Sequence, residues 1–297
     1  MKADEIRRMA AEQNAVILAH NYQRPEVQDI ADVVGDSLEL AIKAKETTAD
    51  VIVFCGVDFM AETAKILNPG KRVLLPVREA TCPLAEALTP EMVREARSRH
   101  PGAAVVLYVN STAECKAEAD ITCTSANAVG VVRSLEEEEI LFGPDANLGC
   151  YVQRMVPEKR IIPLPPGGHC PVHQRFSLDD VKQGRERGDA VVCHPECPPE
   201  VQQASDLIAS TGGMVREAGG HPRWTVLTDA AMTYRLSREF PGGVFHPVEG
   251  AECEDMKLTT IDDVLHALRT GEYNVEVDAD IAARARRAIE RMIAIRR

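Results

Sequence analysis

Residues 167–171 read Gly-Gly-His-Cys-Pro, and the cysteine of this stretch, Cys170, belongs to a repeating frame. Two further cysteines, Cys82 and Cys253, occur at matched places. Each of the three cysteines lies 45, 45 or 42 positions after a small residue with a hydroxyl group. In chain order these residues are Ser37, Ser125 and Thr211. Matched offsets in one frame predict an internal threefold repeat, in which each copy supplies one sulfur to a shared centre.

The frame extends back to an apolar run at the start of each copy. The residues that end these runs lie 17 positions before the hydroxyl residues and are His20, Tyr108 and His194. A second apolar run in each copy is followed within a few residues by an aspartate: Asp58, Asp145 and Asp229. A third run with a proline precedes each cysteine. Each copy therefore has the length and pattern of one small α/β unit.

Apolar runs of strand length alternate with helical stretches along the chain. Helices are expected over residues 25–34, where Pro25 suits the first turn, and over residues 260–270 and 280–296. The alternation predicts parallel sheets with right-handed crossovers. The fold class is α/β, with three pseudo-threefold-related three-layer αβα units over residues 1–86, 87–174 and 175–256, and carboxyl-terminal helices over residues 257–297 that pack back on the fold. Because ligands bind at the carboxyl ends of parallel strands, the active site is expected at the central junction.

Composition and charge exclude several classes of function. The chain has 297 residues, of which 45% are hydrophobic, and a net charge of −12. An acidic chain without a basic face suits neither nucleic acid nor an anionic membrane surface. The charged amino terminus lacks the apolar stretch of a signal peptide, and no run approaches the roughly 18 residues that cross a bilayer, so a cytoplasmic protein is expected.

Nine cysteines in a cytoplasmic chain are more often free, metal-bound or catalytic than disulfide-bonded. Three thiolates from distant loops are too few for a closed structural zinc site, but they suffice for a 4Fe-4S cluster in which one iron has no protein ligand. Such an iron can act as a Lewis acid and favour loss of water. The other six cysteines are expected to be core or near-site thiols, and the pair Cys193 and Cys197 is a weak candidate for a metal or redox site.

Short motifs occur in order along nearly the whole chain: AHNYQ (19–23), GDS (35–37), GVDFMAETAKILNP (56–69), TCP (81–83), YVNS (108–111), TSANA (124–128), GHCPVH (168–173), HPEC (194–197) and STGGM (210–214). Together they resemble the quinolinate synthase family. The resemblance implies a cytoplasmic enzyme of de novo NAD biosynthesis. Such an enzyme condenses iminoaspartate (iminosuccinate) with dihydroxyacetone phosphate to quinolinate, with loss of phosphate and water. The upstream enzyme that makes iminoaspartate is then a candidate partner.

The resemblance also implies which residues form the site. Its cluster ligands fall on Cys82, Cys170 and Cys253, the three that the repeat selects. Its substrate contacts fall on His20, Ser37, Tyr108, Val109, Asn110, Ser125, His194, Pro195, Glu196 and Thr211. The family usually has an asparagine two residues after the third cysteine, whereas this sequence has Asp255. That departure puts one substrate contact in doubt and leaves the thiolate unaffected.

Isomerising a keto phosphate and eliminating water require proton carriers. Tyr22, His194 and Glu196 are the candidates, with Tyr22 and Glu196 as acid and base. His169 and His173 are equally well read as loop histidines beside a ligand, and Asp58 as a helix cap. Two alternatives remain open: another 4Fe-4S hydro-lyase acting on a different hydroxy acid, and a non-enzymatic iron-sulfur sensor.

Overall fold

The computed structural model describes residues 2–295 and contains three α/β units in succession. The first consists of α1 (Lys2–Glu12), β1 (Ala15–His20), α2 (Pro25–Gln28), β2 (Val33–Gly35), α3 (Ser37–Glu46), β3 (Val51–Cys55), α4 (Asp58–Leu67) and β4 (Arg72–Leu74). The second consists of α5 (Pro83–Glu86), α6 (Pro90–Arg99), β5 (Ala104–Tyr108), α7 (Ala113–Ala117), β6 (Ile121–Cys123), α8 (Ala128–Arg133), β7 (Glu139–Gly143), α9 (Ala146–Met155) and β8 (Arg160–Pro163).

A 3₁₀ turn at His173–Arg175 leads into the third unit. That unit consists of α10 (Leu178–Glu186), β9 (Ala190–Cys193), α11 (Pro199–Ala204), β10 (Leu207–Ile208), α12 (Thr211–Glu217), a 3₁₀ turn (Ala218–Gly220), β11 (Arg223–Leu227), α13 (Ala231–Glu239) and β12 (Val244–Pro247). Three helices follow: α14 (Glu254–Leu258), α15 (Ile261–Thr270) and α16 (Ala279–Ala294).

Each unit contains one sheet of four parallel strands, and the strand order is the same in all three. The orders are β2-β1-β3-β4, β6-β5-β7-β8 and β10-β9-β11-β12. The α/β fold class with three related parallel sheets is thereby confirmed. The unit boundaries at residues 86, 174 and 256 stay a prediction.

One aspartate in each unit fixes the edge strand of its sheet. Its carboxylate accepts a hydrogen bond of 2.8 Å from a backbone N–H of the first strand, and its own N–H donates to the carbonyl of the same residue. The matched pairs are Asp32 with Ile17, Asp120 with Val105, and Asp206 with Val191. Because the spacing is 15 residues in every unit, the repeat extends to individual hydrogen bonds.

The single helix predicted over residues 25–34 is wrong, because α2 ends at Gln28 and β2 follows at Val33–Gly35. The Gln28 side-chain amide donates to the backbone carbonyls of Asn21 and Gln23, at 3.1 and 2.8 Å, which closes the turn after one helical cycle. The edge strands β2, β6 and β10 have only two or three residues, too few to show an alternating pattern in the sequence.

The carboxyl-terminal helices pack on the first and second units. Helix α15 begins in a capping box between Thr260 and Asp263 and covers α1. Helix α16 buries Ala285, Ile289 and Met292 beside β6 and α7. The helix predicted over residues 280–296 is observed at Ala279–Ala294, and Arg296 lies outside the described residues. Among residues 2–295, none of the helices has both the length and the apolarity needed to cross a bilayer.

Candidate active site

A cavity lies where the carboxyl ends of the three sheets meet. Its empty space, counted together with its opening to solvent, is about 690 Å³. One cysteine from each repeat, Cys82, Cys170 and Cys253, lines this cavity. The other predicted site residues that line it are His20, Tyr22, Ser37, Tyr108, Asn110, Ser125, His194, Glu196 and Thr211.

Two of the predicted substrate contacts do not line the cavity. Val109 packs in the apolar core shared by the first two units, and its backbone N–H donates to the carbonyl of Cys123. Pro195 is buried, and its carbonyl accepts a hydrogen bond of 2.7 Å from the Gln202 side chain. Both residues shape the backbone beside residues that do line the cavity, namely Asn110 and Glu196.

The three thiols share an environment that disfavours a bare thiolate. Burial raises the pKa of Cys82 and of Cys170, and it raises the pKa of Cys253 to about 11. Charge on Cys253 further raises the pKa of Cys82, and charge on Cys82 further raises that of Cys170. A bound cationic group would offset both effects, because metal ions stabilise thiolates.

The spacing of the three sulfurs does not suit a single ion. Within the described part of the chain, their Sγ atoms do not all lie within 4.8 Å of one another. The ligands of a four-iron cluster bind different iron atoms and are therefore farther apart than the ligands of one ion. The donor type fits such a cluster.

Two buried aspartates hold the backbone of the cysteine loops. Asp145 Oδ2 accepts a hydrogen bond from the Cys170 N–H at 3.0 Å, and Asp229 Oδ2 accepts one from the Cys253 N–H at 2.7 Å. Lys257 Nζ lies 2.7 Å from Asp229 Oδ1 and neutralises that carboxylate. The second and third cysteines are thus positioned by hydrogen bonds to buried carboxyl groups, and the one to Asp229, which pairs with Lys257, is charge-assisted.

The match of Asp58 with Asp145 and Asp229 is wrong by one residue. The N–H of Asp58 donates to the carbonyl of Ala80, which lies two residues before Cys82. In the other two units, the N–H groups of Ala146 and Ala230 donate to the carbonyls that lie two residues before Cys170 and Cys253. The residue equivalent to Asp145 is therefore Val57, and Asp58 instead accepts a hydrogen bond of 2.7 Å from the N–H of Phe59. The first cysteine loop lacks the carboxylate that anchors the other two.

Ser125, His194 and Glu196 form an acid-base chain in the cavity wall. Ser125 Oγ lies 3.1 Å from His194 Nε2. His194 Nδ1 lies 3.1 Å from Glu196 Oε2 and accepts a hydrogen bond of 3.3 Å from the Glu196 backbone N–H. Burial lowers the pKa of His194, and the adjacent Glu196 opposes this. Burial alone would raise the pKa of Glu196, but His173 and His194 outweigh it and hold the pKa below its ordinary value. Glu196 is therefore ionised, and the neutral imidazole beside it lies within reach of the Ser125 hydroxyl for proton exchange.

Tyr22 belongs to a second chain that reaches the same carboxylate. Its hydroxyl lies 2.5 Å from Thr228 Oγ1, which lies 2.8 Å from His173 Nε2, and His173 Nδ1 lies 2.8 Å from Glu196 Oε2. Burial raises the pKa of Tyr22 well above its ordinary value, so the phenol holds a proton that it can donate. The ring of Tyr22 packs edge-on against His20, whose pKa burial lowers to about 3, and His20 is therefore neutral.

Thr228 and Lys257 contact residues of the site, and sequence reasoning missed both. For His173 the sequence leaves a site residue and a loop histidine equally open, and in the structure its ring stacks on His194 with centroids 4.5 Å apart. Thr228 directly precedes Asp229 after the third strand of its unit, a position at which parallel sheets place ligand-binding residues. That position was the available signal. Lys257 carried no signal because its role depends on tertiary pairing with Asp229.

Two acceptor oxygens in the cavity wall have no hydrogen-bond partner among the described residues: Asn110 Oδ1 and Glu196 Oε1. A buried acceptor without a donor costs roughly 1–3 kcal/mol. Both residues line the cavity, so a ligand that carries N–H or O–H groups would satisfy them. The wall therefore suits a ligand with polar hydrogens.

The remaining six cysteines are free thiols. Five are buried, as expected for core or near-site thiols: Cys55, Cys115, Cys123, Cys193 and Cys197. Cys150 is exposed on α9, and for it the expectation is wrong. Cys193 and Cys197 interact with each other. This interaction lowers the pKa of Cys193. Burial raises the pKa of Cys197, and the interaction with Cys193 raises it further.

The carboxyl ends of three parallel sheets enclose cysteines, a serine-histidine-glutamate chain and a buried tyrosine. This arrangement defines an α/β enzyme with its active site at a pseudo-threefold junction. The family model described as Quinolinate synthetase A protein matches residues 4–294. The chain is 55% identical over 293 residues to the quinolinate synthase of Pyrococcus abyssi, covering 98% of each chain. It is 48% identical to that of Thermotoga maritima over 97% of this chain and 98% of the relative. The chain belongs to the quinolinate synthase family.

Proposed function

We propose that this enzyme condenses iminoaspartate with dihydroxyacetone phosphate to form quinolinate, the precursor of the pyridine ring in NAD biosynthesis. Atom balance requires the release of one phosphate and two waters. The observation that carries the proposal is the convergence of three cysteines and the Ser125–His194–Glu196 chain on one cavity. The family relationship supports the same activity.

The cofactor in this proposal is one 4Fe-4S cluster held by Cys82, Cys170 and Cys253. When bound, it supplies an iron that has no protein ligand and that acts as a Lewis acid toward an oxygen of the substrate. Hydrogen bonds from the Cys170 and Cys253 N–H groups to Asp145 and Asp229 support the loops of two ligands.

The substrates bring carboxylate and phosphate groups into a chain with a net charge of −12. Neutral donors rather than lysines line the cavity at the positions of the repeat, Ser37, Ser125 and Thr211. Ser37 is the first residue of α3, where backbone N–H groups favour an anion. Thr211 Oγ1 accepts a hydrogen bond of 2.9 Å from the buried Asn21 side chain, so its own proton is free to reach a ligand oxygen.

Proton transfers in this proposal use one acid and one base. Tyr22 keeps its proton because burial raises its pKa, so it serves as the acid. His194 Nε2 faces Ser125 and its Nδ1 lies beside ionised Glu196, so His194 with Glu196 serves as the base. The imine N–H and the hydroxyl groups of the substrates match the unpartnered oxygens of Asn110 and Glu196.

The test is quinolinate formation by the anaerobically purified, cluster-loaded protein, with iminoaspartate generated in the assay. Serine variants of Cys82, Cys170 and Cys253 should each lose bound iron and sulfide together with activity. Cys150→Ser is the matched control, because Cys150 is exposed and lies outside the cavity. A cluster-loaded protein that forms no quinolinate would overturn the proposal and favour another 4Fe-4S hydro-lyase. Iron retained in all three variants would overturn the ligand set.

The enzyme that produces iminoaspartate is proposed as a partner because it supplies the substrate. The nine free thiols support a reducing, cytoplasmic location. Co-purification of the two enzymes under anaerobic conditions tests the first proposal, and cell fractionation tests the second.

A further inference from the structure

One of the three cysteines also belongs to a second, tighter group of donor atoms. The ligand atoms of Cys170, His173 and Glu196 all lie within 4.8 Å of one another. His173 and Glu196 are almost completely buried, with side chains exposed by 1% and 4%. The group draws Cys170 and His173 from the second cysteine loop and Glu196 from the loop after β9.

Two donor atoms in this group have lone pairs and no hydrogen-bond partner within residues 2–295: His173 Nδ1 and Glu196 Oε1. His173 Nδ1 lies 2.8 Å from Glu196 Oε2, but the two groups are not aligned as an N–H···O hydrogen bond. Leaving two such atoms buried and unpaired is costly, and native structures contain few of them. A cation between the ring nitrogen and the carboxylate would satisfy both.

The other ring nitrogen of His173 is held as it is in known metal sites. His173 Nε2 lies 2.8 Å from Thr228 Oγ1, a fully buried hydroxyl. A metal-binding histidine usually donates its second N–H to such an acceptor, which fixes the tautomer and the ring orientation. With the proton on Nε2, the Nδ1 lone pair points toward the carboxylate.

We propose that these three side chains bind one zinc ion in the protein that lacks its iron-sulfur cluster. One sulfur, one nitrogen and one oxygen with a water in the fourth position is a ligand set that zinc accepts. A thiolate and a carboxylate neutralise the dication in a buried cavity, whereas three thiolates would leave a net negative charge there. Zinc bonds are about 2.0–2.3 Å long, so side-chain movements of about 1 Å bring these atoms into coordination.

Zinc binding exchanges the thiol proton of Cys170 for the metal ion. The Cys170 thiol gives up its proton to solvent as the zinc-sulfur bond forms, and no electron is transferred. Because Cys170 is also a ligand in the proposed cluster, zinc and cluster exclude each other. That exclusion rests on the proposed function, whereas zinc binding by the three side chains does not.

The experiment titrates zinc sulfate into the full-length, cluster-free protein under anaerobic conditions, in competition with a chromophoric chelator. We expect one zinc per chain. His173→Gln and Cys170→Ser should each weaken binding by about 100-fold or more, and Thr228→Val by about 10- to 100-fold, as is usual for a residue that orients a ligand. Cys82→Ser and Cys253→Ser are the matched controls and should keep the affinity within about threefold.

X-ray absorption of the unmutated zinc protein needs no variant and gives an independent answer. One sulfur with three nitrogen or oxygen neighbours supports the proposal. Three sulfurs, or a large loss of affinity in Cys82→Ser with none in His173→Gln, would overturn it in favour of the cysteine set. Less than about 0.2 zinc per chain would overturn it outright. None of these readouts uses quinolinate formation, so a failed activity assay and a failed zinc site are distinguishable.

Discussion

Replacing Lys257 by methionine tests how the loop of the third cysteine is held. Lys257 Nζ lies 2.7 Å from Asp229 Oδ1 and also donates to the backbone carbonyl of Tyr22. Asp229 is fully buried, and its other oxygen accepts the N–H of Cys253. Methionine keeps most of the stem and its packing but removes the charge, so the carboxylate would remain buried without a cation.

Removing one partner of a buried ion pair costs about 3–5 kcal/mol. Asp229 keeps its hydrogen bonds from the N–H groups of Ala231 and Cys253, at 2.9 and 2.7 Å, so we expect the lower end, about 3 kcal/mol. The matched control is Lys2→Met. Lys2 pairs with Asp262 at the same 2.7 Å, but both side chains are more than half exposed, at 56% and 63%, and the loss should stay below about 1 kcal/mol.

The measurement is denaturant unfolding of both cluster-free variants under anaerobic conditions, followed by circular dichroism. A second readout is the rate at which a chelator removes iron from the cluster-loaded proteins. This rate should rise for Lys257→Met, because the Cys253 loop is less well anchored, and stay unchanged for Lys2→Met. Equal stabilities of the two variants would refute the buried-pair reasoning.

Three further predictions concern the acid, the base and a buried lysine. Tyr22→Phe should lower kcat for quinolinate formation by about 100-fold or more with little change in KM, and an unchanged kcat would remove Tyr22 from the mechanism. Ser125→Ala removes the partner of His194 Nε2 and should lower kcat/KM by about 10-fold or more in the same steady-state assay, and a wild-type value would contradict the proposed chain. Burial lowers the pKa of Lys116 to about 8 from an ordinary 10.5, so between these values the unfolded chain holds a proton that the folded chain lacks. Stability should therefore rise with pH in that window by up to about 1.4 kcal/mol per pH unit relative to Lys116→Met, measured by unfolding at pH 8, 9 and 10, and a difference that falls with pH would contradict it.

The sequence predicted the arrangement of the fold because equivalent residues of the three repeats are separated by nearly the same number of positions. The offsets from Ser37, Ser125 and Thr211 to the cysteines reflect whole strands and helices that keep their lengths. The structure brings all six residues to one cavity. A pattern that survives in three copies identifies equivalent positions even where a single copy is ambiguous.

The repeat pattern did not predict features shorter than one helical turn or one strand. The edge strand β2 has three residues, and Asp32, which ties it to Ile17, is one aspartate among many. The shift between Asp58 and Asp145 is a single residue, which only the hydrogen bond from Asp58 N–H to Ala80 reveals.

The hydrogen-bond chains of the site were also beyond the sequence. His173 and Thr228 are 55 residues apart, and nothing local in either motif marks their 2.8 Å contact. Tertiary pairing sets the partner of a histidine, and the partner determines whether it is a base, a ligand or a packing residue. Residue type and strand position could nominate His194, but only geometry distinguishes its role from that of His173.

The distribution of the three sulfurs along the chain has a consequence for biogenesis. Cys253 is synthesised only after 252 other residues, and the helix α16 that covers the second unit comes later still. Units of a chain generally fold in order from the amino terminus, so two of the three proposed ligands are in place before the last one is made. For the proposed cluster, insertion is therefore a late maturation step, and a nascent or prematurely terminated polypeptide would carry an open pocket with an incomplete set of thiols.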